Sequence, residues 1–90
     1  MDTPLSVILS PHAQVEIERR GIPKEFVEKV LSKPDQVVEE HTGRRAYQSR
    51  FQFPGGKMFL VRAIVEERSD PRVVVTVYRT SKIAKYWRPS

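Results

Sequence analysis

The feature that most constrains this chain is the run Arg72-Val-Val-Val-Thr-Val-Tyr-Arg-Thr80. β-Branched and aromatic residues dominate it, so it reads as a strand. With a period of 2, Val73, Val75 and Val77 point one way, and Val74, Thr76, Tyr78 and Thr80 point the other. Such a strand needs an apolar core on its valine side. Its hydroxyl side, beside Arg72 and Arg79, suits a phosphodiester backbone.

The segments before this strand carry turn signals at regular intervals. His41-Thr-Gly-Arg44, Pro54-Gly-Gly-Lys57 and Arg68-Ser-Asp-Pro71 bound strands at residues 36–40, 45–53 and 58–67. Helix signals come earlier. Ser10-Pro11 supplies an N-cap and a first-turn proline, and Gly21 ends a helix over residues 11–20. Glu16 and Arg20 form an i,i+4 pair within it. Pro23 opens a second helix, Lys24–Ser32, with an apolar stripe of Val27, Val30 and Leu31, and Pro34-Asp35 ends it. Helices followed by strands predict an α+β fold. In this reading, two N-terminal helices cover one face of a four-stranded antiparallel sheet, and the other face stays open. The whole chain, residues 1–90, makes a single domain. Residues 1–9 form an arm, extended over 4–9 with Leu5, Val7 and Leu9 on one face. Residues 83–90 form the C-terminal tail, with a short helical turn or coil over 81–87.

Ninety residues can bury only a small core. Sixteen Lys and Arg against 11 Asp and Glu leave a formal charge of +5. That balance favours polyanions, RNA and DNA first, or simply a soluble basic surface. The chain has no cysteine, which excludes a disulfide framework, a thiol nucleophile and a Cys-ligated zinc. A cytoplasmic location is the default expectation. No apolar run approaches a membrane span, and the start lacks the basic region of a signal peptide.

Metal, cofactor and phosphate-loop chemistry find no motif. His12 and His41 lie in unrelated segments, and Pro54-Gly55-Gly56-Lys57 joins two strands rather than a strand and a helix. No serine sits in a nucleophile turn. What remains is a set of cations and hydroxyls, which is what metal-free RNA cleavage requires. The substrate's 2′-hydroxyl attacks the phosphodiester. The protein must accept its proton, neutralise the pentacoordinate phosphate and protonate the leaving 5′-oxygen. His12, in the first helical turn, is the candidate proton acceptor or else a helix-start residue at the sheet edge. Arg62 interrupts the apolar run Met58-Phe-Leu-Val-Arg-Ala-Ile-Val65. It either faces the open surface or forms a cross-strand pair with a carboxylate. Tyr78 either donates a proton or supports the sheet, and Thr76 lies beside it. Arg44, Arg45, Tyr47, Arg79, Lys82 and Lys85 are the candidate nucleic-acid contacts. Lys82, Lys85, Tyr86, Trp87 and Arg88 interleave basic and aromatic residues, a pattern that grips single strands or anchors a C-terminus.

One combination is more specific. His12-Ala13, Glu18-Arg19-Arg20-Gly21-Ile22-Pro23, Val27, Val30-Leu31 and Pro34-Asp35 lead to an ending Val-Val-Thr-Val-Tyr-Arg-Thr-Ser-Lys. Over about residues 11–82 this resembles a family of small prokaryotic domains of unassigned function, usually placed with the RelE/BrnT-like toxins. The resemblance implies a RelE-like fold and a metal-independent endoribonuclease acting on mRNA, ribosome-associated or free, with an antitoxin partner. It places His12, Arg62, Thr76 and Tyr78 where such domains keep polar residues. The RelE-type cluster of lysines and arginines around the phosphate does not map position by position. The alternative is a non-catalytic RNA-, DNA- or protein-binding module on the same scaffold. A third reading is a homodimer paired through the arm or the short first β-strand.

Overall fold

The computed structural model describes residues 7–89. In chain order its elements are β1 (Val7–Leu9), α1 (Pro11–Arg19), α2 (Lys24–Ser32), β2 (Gln36–His41), β3 (Arg44–Gln52), β4 (Met58–Glu66), β5 (Arg72–Thr80) and α3 (Ile83–Tyr86). The α+β class stands, but the sheet is five-stranded and mixed, in the order β1-β5-β4-β3-β2. The expected four-stranded antiparallel sheet accounts for β2 to β5. The fifth strand comes from the arm: Val7, Ile8 and Leu9 pair in parallel with Arg72, Val73 and Val74. The rest of the predicted arm, including Leu5, lies outside the described residues.

Ser10 explains how the arm and first helix are held. Its Oγ accepts from the backbone N of Ala13 at 3.0 Å and donates to the carbonyl of Val75 at 3.1 Å. One hydroxyl thus caps α1 and ties it to β5. Pro11 occupies the first turn, where its missing N–H costs nothing. At the other end, Gly21 adopts φ 62°, a left-handed conformation open to glycine.

The two helices pack on one face of the sheet, as the sequence predicts. Ala13, Val27, Val30 and Leu31 meet Val61, Ala63, Val65, Val74 and Val77 in one buried cluster. Phe26 stacks on Phe51 with ring centroids 4.3 Å apart, and Phe53 meets both Phe26 and Phe59 edge-on.

The faces of β5 differ from the period-2 expectation. Ile64 pairs with Thr76 and Val65 with Val74, so Val75 is an extra residue in a bulge. Val74 therefore turns to the helices together with Val77, and both are fully buried. Val73 and Val75 are only partly buried, so the predicted valine face of Val73, Val75 and Val77 is not formed. The bulged carbonyl is the one that Ser10 Oγ holds.

Candidate nucleic-acid interface

The second face of the sheet is not the open surface that the strand order suggests. Gln48, Arg62 and Tyr78 are cross-strand neighbours on β3, β4 and β5. They alternate with Tyr47, Ala63 and Val77, which belong to the helix-side core, so they project to the opposite side. There α3 folds back over them. The Tyr86 ring lies 4.3 Å from the Arg62 guanidinium carbon. Gln48 Nε2 donates to the Tyr86 carbonyl at 3.2 Å, and Gln36 exchanges hydrogen bonds with the backbone of Arg88.

Arg62 is consequently 3 % exposed. Burying a guanidinium requires partners for its donors, and it has them. Nε donates to Gln48 Oε1 at 2.8 Å, Nη2 to Glu40 Oε2 at 2.8 Å and Nη1 to the Tyr78 hydroxyl. The Glu40 contact is the carboxylate pair weighed as the alternative from sequence. Burial raises the Tyr78 pKa, and the hydrogen bond from Arg62 opposes that shift. Tyr78 therefore stays protonated around neutral pH.

Of the predicted catalytic residues, the fold brings Arg62 and Tyr78 into contact. Thr76 lies on the same side of β5, two residues away. His12 does not join them. It is exposed on α1, on the helix side of the sheet.

The predicted nucleic-acid contacts also divide. At one end of the sheet, where β3 begins and β4 ends, arginines are matched to carboxylates. Arg44 and Arg68 each lie 3.2 Å from Glu66, Arg72 lies 3.5 Å from Glu67, and Arg45 lies 3.8 Å from Glu67. Hydrogen bonds from Arg68 and Arg44 hold Glu66 below the usual carboxylate range. Tyr47 is buried, with its hydroxyl donating to Glu67 Oε2 at 2.6 Å and accepting from Arg72 Nη1 at 3.2 Å. Its pKa is raised, by burial first and by the Glu67 bond second. Arg44 and Arg45 are thus paired with carboxylates yet about half exposed, and Tyr47 is buried.

The opposite end is different. Gln52 pairs with Met58 and Leu60 with Thr80, so the end of β3, the start of β4 and the end of β5 meet there. Arg50, Lys57, Arg79, Lys82, Lys85 and Arg88 surround this end. None of them makes an ion pair among the described residues. The nearby carboxylate, Asp35, accepts instead from the backbone N of Arg50. Aromatic rings support several of these cations. Arg50 lies 4.2 Å from the Trp87 ring centroid, Lys85 5.3 Å from Tyr86, and Arg79 4.5 Å from Phe59. Arg79, Lys82 and Lys85 were predicted as contacts. Arg50 belongs to the cations that the β half of the sequence offers to a phosphate, and the fold sets it beside Trp87; Lys57, in the hairpin turn, lies 5.5 Å from the Phe59 ring centroid. Arg88 and Trp87 were visible in the basic-aromatic interleaving.

Among the described residues no group of acidic, His or Cys side chains could hold a metal ion. Among the same residues no helix is long and apolar enough to cross a membrane.

Residues 9–79 match a family model described as a domain of unknown function, DUF4258, and the chain belongs to that family. No curated protein and no solved structure matches it.

Proposed function

For this DUF4258 member we propose a non-catalytic nucleic-acid-binding module that holds a single strand, RNA first, against the end of the sheet bearing Arg50, Lys82, Lys85, Arg88 and Trp87. One observation carries this reading: among the described residues, six of the nine basic side chains without an ion pair gather at that end, Lys24, Lys29 and Lys33 on the helix side being the others, while each arginine at the other end is paired with a carboxylate. Unpaired cations attract phosphates over a Debye length, and an indole offers a base a stacking surface. Fluorescence anisotropy with a labelled single-stranded RNA tests it. Arg50→Gln, Lys82→Gln, Lys85→Gln and Arg88→Gln combined should abolish retention at moderate salt. Equal retention by that variant would sink the proposal.

The contact between Arg62 and Tyr78 favours a second reading, in line with the resemblance to RelE/BrnT-like toxins. In it the protein is a metal-independent endoribonuclease whose antitoxin restrains it. Arg62 neutralises the pentacoordinate phosphate, Tyr78 protonates the leaving 5′-oxygen, and α3 must withdraw to admit the strand. His12 is too far round the sheet to act as their base, so the proton acceptor comes from elsewhere. Incubation with mRNA in EDTA, with and without ribosomes, separates the two readings. Cleavage lost in Tyr78→Phe supports the enzyme, and intact RNA throughout supports the binding module.

A further inference from the structure

A groove on the helix side belongs neither to the buried arginine nor to the basic end. Leu9, Ile17, Val27 and Leu31 form its floor between β1, α1 and α2, and the hollow measures about 350 Å³. Glu18, Glu28 and Lys24 stand on its rim. A second, shallower hollow continues past Gln14 and Glu18 to Val15, which is 58 % exposed.

Two independent observations say what fits there. The first is charge. In a chain of net charge +5, this rim is acidic on balance. Glu18 and Glu28 make no ion pair among the described residues, whereas Glu16 on the same helix is gripped by Arg19 and Arg20. The second is the sheet edge. Among the described residues β1 is the outer strand beside β5, and its Leu9 carbonyl accepts from the side chain of Gln14 at 3.1 Å rather than from a strand of those residues. Ile8, on the face of β1 away from the groove, is 53 % exposed. An edge acceptor met by a side-chain amide, with apolar side chains on both faces, is the geometry of strand addition.

We propose that this groove docks an extended segment of a partner protein. The segment pairs along β1, seats an aliphatic side chain between Leu9, Ile17 and Leu31, and sets a lysine or arginine against Glu18 and Glu28. Alternation along the added strand places every second side chain in the groove. The surface is separate from the basic end, so the two interactions are compatible on one molecule.

The test is an amide-resolved NMR titration of the full chain with a short peptide alternating valine and lysine. The expected result is saturable shifts confined to Val7, Ile8, Leu9, Ile17 and Leu31. Replacing the peptide lysines by glutamates should remove them. Glu18→Lys with Glu28→Lys should weaken binding about tenfold or more, since it exchanges attraction for repulsion at two exposed positions. An unchanged unfolding midpoint for that variant shows that the fold is kept. Four results overturn the proposal: shifts elsewhere only, equal binding of the glutamate peptide, indifference to the charge reversal, or a groove already closed by the chain's own N-terminal residues or a second copy.

Discussion

Arg62 is the residue whose surroundings decide most about this molecule. From sequence it is a cation in an apolar run, and either surface or pairing would accommodate it. In the fold it is sealed by Tyr86 and bonded to Gln48, Tyr78 and Glu40. Arg62→Ala removes three hydrogen bonds and leaves the buried Gln48 oxygen unpartnered. A loss of about 2–4 kcal/mol is expected in urea unfolding. Arg62→Met keeps the volume and should recover part of it. A loss below about 0.5 kcal/mol for the alanine variant would mean that the network contributes little. Acid sensitivity has a separate origin. Arg20 foremost, with Arg19, lowers the Glu16 pKa, and Arg68 and Arg44 lower that of Glu66. A lowered folded pKa gives stability that is present above the ordinary carboxylate value, about 4.3, and is lost as pH falls through the folded value. Thermal melts from pH 7 downward should therefore show a falling acid limb, and Glu16→Gln should flatten it.

At the scale of elements, Ser10 joins α1 to the bulge of β5. Ser10→Ala should cost about 1–2 kcal/mol, since it uncaps the helix and releases the Val75 carbonyl. Ser10→Thr should cost less, and equal losses for the two would disprove the hydroxyl's role. The second helix and the last strand were legible because proline, glycine and β-branched residues mark them from within: Lys24–Ser32 and Arg72–Thr80 have the predicted bounds. Three things were not legible. Consecutive valines look alike, so nothing in Val73-Val-Val75 shows which one is inserted. The parallel pairing of β1 joins residues more than sixty positions apart and has no local signature. A helical turn or coil is expected in the tail and α3 falls there, but nothing in its four residues shows that it closes the sheet face that strand alternation leaves open. Of the candidate site, the meeting of Arg62 with Tyr78 followed from strand order. The separation of His12 did not, because it depends on which face α1 covers.

Across the whole molecule, the arrangement of charge matters more than its total. Among the described residues seven arginines sit in ion pairs with carboxylates. Among the same residues the six basic side chains around the end of β3 and the tail have none, and only Lys24, Lys29 and Lys33 along α2 share that state, so most of the unpaired positive charge lies at one end. The most direct test of this account is the salt dependence of binding to single-stranded RNA. Each phosphate neutralised on a single strand contributes about −0.7 to the slope of log K against log salt, so engagement of Arg50, Lys82, Lys85 and Arg88 predicts a slope near −3. The variant with all four changed to glutamine should bind weakly and with a nearly flat slope, while Arg44→Gln with Arg45→Gln should keep most of the slope. The reverse pattern, with the slope lost in the Arg44 and Arg45 variant and kept in the other, would contradict the assignment of the interface.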